Sequence, residues 1–140
     1  MKYLLDTTTV SDYLRKNKAV VKHVHNIPPQ EQAISTITKF EIAYGLANKP
    51  SLIKKYRFQL SELYQKTNNL VVDAEITDLA GQIRSELKKA GTPIGVPDIL
   101  IGATACFHNL TVVTSNVKDF SRIERQLNIV DWKLDNKDFA

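Results

Sequence analysis

Asp6, Glu41, Asp98 and Asp119 each stand at the end, or on the buried side, of an apolar segment. A carboxylate in such a place is costly unless a cation compensates it, and no Lys or Arg is written into those apolar faces. A bound divalent metal is the most economical compensator, and carboxylate-held metals suit phosphodiester chemistry. The histidines offer no rival ligand set: His23 and His25 are two apart on an expected helix and so face different ways, while His108 ends another. An all-oxygen cluster favours Mg²⁺ or Mn²⁺ over Zn²⁺.

Each acid also has a structural role open to it. Asp6 follows an apolar strand and could cap the next helix, although Thr7, Thr8, Thr9 and Ser11 could do the same. Glu41 closes Thr38-Lys-Phe-Glu41, which matches the Ser/Thr-x-x-Glu capping box. Against that, it falls inside the stripe Ile37, Phe40, Tyr44, already in helical register. Asp98 stands in the first turn of a helix that is apolar nearly all round, and the helix dipole, worth about 0.3–1 kcal/mol, cannot offset deep burial. Asp119, in Ser115-Asn-Val-Lys-Asp119, reads by default as a solvated loop carboxylate. Asp12, Asp73, Asp78, Asp131, Asp135 and Asp138 read as caps or solvated groups.

The elements that must position these acids alternate. Apolar strands are expected at residues 2–5, 32–35, 70–72, 110–114 and 129–132. Helices are expected at 11–16, 19–25, 36–46, from Pro50 toward Thr67, at 76–90 and at 97–107, with a turn and a charged helix between Val117 and Leu127. Gly91 is expected in the left-handed conformation that ends a helix. Short strands alternating with helices predict an α/β fold with a central parallel sheet covered on both faces. Ligands in such sheets bind beyond the carboxyl ends of the strands. Asp6 and Asp119 would both reach that rim.

The 140 residues, 43% of them hydrophobic, predict a single domain over 1–140. No apolar run has the roughly 18–20 residues of a membrane span, and Asp6 interrupts the apolar start, so a cytoplasmic protein is expected. The one cysteine, Cys106, cannot form an internal disulfide and reads as a packed side chain. Net charge is +4; setting four acids aside for a metal leaves eleven to oppose nineteen cations. Such a surface suits a polyanion.

Four segments, Tyr3-Leu-Leu-Asp-Thr-Thr-Thr-Val-Ser-Asp-Tyr-Leu14, Ser35-Thr-Ile-Thr-Lys-Phe-Glu-Ile-Ala-Tyr-Gly-Leu46, Gly95-Val-Pro-Asp-Ile-Leu-Ile-Gly-Ala-Thr-Ala105 and Val112-Val-Thr-Ser-Asn-Val-Lys-Asp-Phe120, resemble the PIN-domain ribonucleases. The resemblance is nearest to VapC-type toxins of toxin–antitoxin pairs. It implies a three-layer α/β/α PIN-like fold and a metal-dependent endoribonuclease, with one or two Mg²⁺ or Mn²⁺ ions held by Asp6, Glu41, Asp98 and Asp119. Thr7, Ser115 and Asn116 would then orient carboxylates or water around the metal. It further implies a homodimer and a small antitoxin that blocks the acidic pocket, often with an Arg or Lys. Thr8 stands where the family commonly has Asn, which should alter the hydrogen bonding around the site without abolishing it. Arg15, Lys39 and Arg84 are candidate RNA contacts, since phosphate contacts orient a substrate without reading it.

Two other readings compete. A haloacid-dehalogenase-type phosphatase also begins with a strand ending in Asp, but Thr8 occupies the place of its second, proton-donating Asp. A PIN-like scaffold that binds RNA or protein without catalysis would tolerate loss of the acids, and all four are present.

Overall fold

The computed structural model describes residues 1–134. In chain order the elements are β1 (Tyr3–Leu5), α1 (Thr7–Leu14), α2 (Lys18–Asn26), a 3-10 turn (Pro29–Glu31), β2 (Gln32–Ser35), α3 (Thr36–Asn48), α4 (Ser51–Lys66), β3 (Asn68–Leu70), α5 (Ala74–Lys89), α6 (Val96–His108), β4 (Thr111–Val113), α7 (Val117–Phe120) and β5 (Ile129–Val130). The five strands form one sheet in the order β3-β2-β1-β4-β5. Every pairing is parallel.

Alternation along the strands explains why helices cover both faces. Leu4, Ala33 and Val112 project into a core shared with Ile76, Ile83, Leu87, Ile99 and Phe120. Their neighbours Leu5, Ile34 and Val113 project the other way, against Val10, Leu14, Val24, Ile42, Leu60 and Trp132. Successive residues of a strand face opposite sides, so strands apolar at every position need two cores. The α/β/α layering expected from the sequence is the result.

Several boundaries moved, each for a local reason. α1 starts at Thr7 rather than near Ser11, because Asp6 caps it directly, its carboxylate accepting the Thr9 N–H at 3.0 Å. β3 is Asn68–Leu70 instead of 70–72, and Val71 is 67% exposed. It is an edge strand, where apolar content is a poor guide; Asn68 Nδ2 ties it to its neighbour by donating to Gln32 O at 3.0 Å. The charged helix expected up to Leu127 is only the short α7. β5 ends at Val130, and Trp132 instead stacks on His23 with ring centroids 5.0 Å apart. Gly91 does adopt φ 72°. The roles expected for Asp135 and Asp138 lie outside the described residues.

The apolar stripe assigned to α3 was misplaced. Phe40 and Tyr44 are 68% and 65% exposed, whereas Thr38 and Ile42 form the buried face. Ser35, not Thr38, caps the helix by accepting the Thr38 N–H at 3.2 Å. The capping-box role for Glu41 is therefore excluded by the position of the cap, not by the stripe that argued against it.

Gly102 is where α6 admits the chain that carries Asp119. A Cβ there would lie 2.5 Å from Ile123 Cδ1 and 3.8 Å from the Phe120 ring. The missing side chain lets α7 and the turn after it sit close to α6.

Candidate active site

The strand order places the reversal of winding direction between β1 and β4, and the carboxyl ends of strands flanking such a point leave a crevice. Asp6 follows β1 at one side of it, and Ser115 and Asn116 follow β4 at the other. α3 leaves β2 and packs against both α1 and α6, which carries Glu41 to the same rim. Asp98 arrives on the first turn of α6, and Asp119 on α7.

Asp6 is 1% exposed. Its Oδ1 accepts both the Thr8 hydroxyl, at 2.7 Å, and the Thr9 N–H. Capping and membership of the site are therefore not alternatives, since the cap uses one oxygen. Burial pushes this carboxyl above the usual range, opposed by the hydroxyls of Thr114 and Thr8 and the Thr9 N–H. Glu41 is half-buried and accepts a hydrogen bond from Thr7 Oγ1. The hydroxyl expected beside Asp6 thus serves Glu41.

Asn116 joins the other two acids: its Nδ2 donates to Asp98 Oδ2 at 2.9 Å and to Asp119 Oδ2 at 3.0 Å. That use of the amide explains why Asn116, at the start of α7, caps nothing with its side chain. Burial pushes Asp98 up to about 6, and negative charge on Asp6, Glu41 and Asp119 pushes in the same direction against the Asn116 bond. The Asn116 amide therefore holds Asp98 and Asp119 side by side, while Thr7 holds Glu41 beside the helix start that Asp6 caps.

Thr8 occupies the junction between the two sides of the crevice. Besides binding Asp6, its hydroxyl accepts the Ser115 N–H at 3.0 Å and lies 3.5 Å from Thr114 Oγ1. Thr114 in turn accepts the Asn116 N–H at 2.8 Å. A Thr in place of Asn here keeps a hydrogen-bonded chain from Asp6 to the loop carrying Asn116. Ser115 enters through its backbone.

Thr114 and Arg122 were missed from sequence. Thr114 is a wholly buried hydroxyl at the end of an apolar strand, a signal that could have been read. Arg122 Nη1 lies 3.6 Å from Asp119 Oδ1 and donates to Pro93 O at 3.2 Å; its spacing from Asp119 is that of helix neighbours. It is a partial exception to the expectation that no cation meets the acids. Among the described residues, Asp6, Glu41 and Asp98 have no ion pair. Nor do three Asp, Glu, His or Cys side chains among them already surround one point as metal ligands would.

The three candidate RNA contacts separate. Arg15 lines a groove with Thr7, Ser11 and Glu41. Lys39 lies two residues from Glu41, about 200° round the helix, with its ammonium 4.5 Å from the Tyr64 ring centroid. Arg84 is exposed on α5, and no described contact joins it to the acids.

Residues 3–126 match the family model described as PIN domain. The chain belongs to the PIN-domain family. Within it the chain groups with the VapC-type proteins: it is 31% identical over 132 residues to the tRNA(fMet)-specific endonuclease VapC of Salmonella typhimurium, an alignment covering 94% of this chain and 98% of that one. It is 33% identical over 135 residues to ribonuclease VapC1 of Haemophilus influenzae, with the same coverage. Among solved structures, DNA-bound VapBC from Salmonella typhimurium superposes with a TM-score of 0.85 at 29% identity, over 94% of this chain and 98% of that one. VapBC-1 from nontypeable Haemophilus influenzae gives 0.77 at 32% identity over the same shares. No helix among the described residues is long and apolar enough to cross a membrane.

Proposed function

We propose that this chain is a divalent-metal-dependent endoribonuclease, the toxin of a cytoplasmic toxin–antitoxin pair, with Asp6, Glu41, Asp98 and Asp119 as its catalytic acids. The observation that carries the reading is a hydrogen-bonded set at the β1/β4 crevice: Asn116 bridges Asp98 and Asp119, Thr8 links Asp6 to the loop that carries Asn116, and Thr7 binds Glu41. The donor set of the four acids is all oxygen. Mg²⁺ is commonly held through one or two carboxylates and retained waters, so a loose cluster suits it, whereas a closed cage of protein ligands is not required. When bound, such a cation supplies positive charge to the scissile phosphate and an acidified water as nucleophile.

The chain's own residues hold that arrangement. Thr8 and the Thr9 N–H fix Asp6, Thr7 fixes Glu41, and Asn116 sets Asp98 and Asp119 relative to each other. Each bond restricts a carboxylate that would otherwise turn away from its like-charged neighbours. Residues placed this way around a metal site typically contribute 10–100-fold to affinity or activity. Asn116→Ala is expected to slow RNA cleavage by about that factor and to raise the Mn²⁺ concentration needed for half-maximal rate. An unchanged rate would remove Asn116 from the site.

Attack by water, as opposed to the ribose 2′-OH, leaves a 5′-phosphate and a 3′-hydroxyl. Sequencing the ends of RNA cut by the purified chain tests this, and a 2′,3′-cyclic phosphate would refute it. Solved relatives of this fold include toxin–antitoxin complexes, one of them from Klebsiella pneumoniae at 27% identity, and we extend an antitoxin partner and a homodimer to this chain. The exposed Phe40, Tyr44, Ile53 and Phe58 on α3 and α4 provide apolar surface of the kind that protein partners cover.

A further inference from the structure

A string of grooves leads away from the carboxylates along α1 and α4. The first contains Thr7, Glu41, Leu14, Arg15 and Tyr56. The next shares Leu14, Arg15 and Tyr56 with it and adds Lys16 and Lys55. A third shares Lys16 and adds Lys18 and Tyr13. Consecutive grooves have lining residues in common and so lie end to end, with the cations beginning at Arg15, about 12 Å from Thr7 at the 1.5 Å rise of a helix.

Charge along the track is lopsided. Asp12 is engaged by Lys133 at 3.4 Å and by Arg15 at 3.9 Å, and Glu62, near its far end, by Lys66 at 2.7 Å. Lys16 and Lys18 have no ion pair among the described residues, and both are exposed. Lys16 follows the last turn of α1 with φ 62°, in the left-handed region. A glycine there ends a helix at no cost, whereas a lysine is strained.

We propose that this track, marked by Arg15, Lys16, Lys18 and Lys55, binds the backbone of a single RNA strand extending from the site of cleavage. The proposal rests on the nuclease reading and says how the substrate is held. A concave track with cations along it follows one backbone, and the half-buried ring of Tyr13, edge-on to His25 at 6.0 Å, offers a base a stacking surface at the far end. Neither feature selects a sequence, so the track would add affinity evenly and leave the choice of bond to the site.

The test uses an Asp98→Asn background, so that bound RNA is not cut, and a fluorescein-labelled unstructured RNA 12-mer followed by anisotropy across a salt series. The combined variant Lys16→Gly, Lys18→Ala, Lys55→Ala is expected to bind at least about tenfold more weakly. The slope of log K against log salt should fall by about 2, at roughly 0.7 per phosphate contact on a single strand. Lys16→Gly alone should keep or raise the melting temperature, which separates lost binding from lost folding. A control removing Lys88 and Lys89, on the last turn of α5, should change affinity less than twofold. An unchanged slope in the combined variant, or an equal loss in the control, overturns the track. The nuclease reading fails separately, if Asp98→Asn leaves cleavage in the otherwise native chain intact.

Discussion

Asp98→Asn is expected to reduce RNA cleavage by about 10²–10³-fold, the scale on which one preorganised electrostatic contact is lost, and at the same time to stabilise the metal-free protein. The two effects have one cause. In the folded chain the Asp98 carboxyl sits near 6, above its ordinary 3.8, because burial and three like-charged neighbours oppose its ionisation. Below about pH 3 it is protonated folded or unfolded, and nothing is lost. As pH rises toward 6 the unfolded chain releases its proton first, so the folded state is penalised through that window and remains penalised above it.

An amide at position 98 removes the penalty. The melting temperature of the metal-free variant at pH 7.5 should therefore exceed that of the native chain by a few degrees, screening at a half-buried group reducing the full effect. The difference should shrink steeply as pH falls from 6 and vanish near pH 3. Thermal melts at both pH values, alongside a cleavage assay, check the pair of outcomes. A variant that is both inactive and less stable at pH 7.5 would mean that Asp98 is a structural residue.

Removal of divalent cations with EDTA is expected to cost at least about 10²-fold in cleavage, recovered by Mn²⁺ or Mg²⁺. Folding gathers carboxylates that repel one another, and a cation binding only the folded chain stabilises it by mass action, about 2.7 kcal/mol at a hundred times its dissociation constant. Saturating Mn²⁺ should thus raise the melting temperature of the native chain by several degrees, and that of Asp98→Asn by much less. Calorimetric titration with Mn²⁺ measures the same difference directly. A non-catalytic scaffold would show no metal binding sensitive to Asp98→Asn, and full cleavage in EDTA would end the metal-dependent reading.

Local features of the chain carried much of this. Short apolar strands alternating with helices could be satisfied only by a parallel sheet with two cores, and the paired residues Leu4 and Leu5, Ala33 and Ile34, and Val112 and Val113 show why. Asp98 was legible because a charge on an otherwise apolar helix stands out. Asp119 was less so: its surroundings in sequence are those of any loop, and beyond its place after a strand end it was the family motif that marked it.

What the sequence by itself determined is which residues carry charge, which elements they stand on, and that the ends of two strands would bring Asp6 and Asp119 toward one rim. Tertiary structure alone decided that Thr38 and Ile42, rather than Phe40 and Tyr44, face the core of α3. It also decided that Thr7 serves Glu41 and that Asn116 bridges Asp98 and Asp119. Periodicity states which side chains share a face of a helix, but which face meets the core depends on neighbours far away in the chain. Hydrogen bonds between residues as distant as Thr8 and Ser115 exist only once the sheet has set those strands side by side.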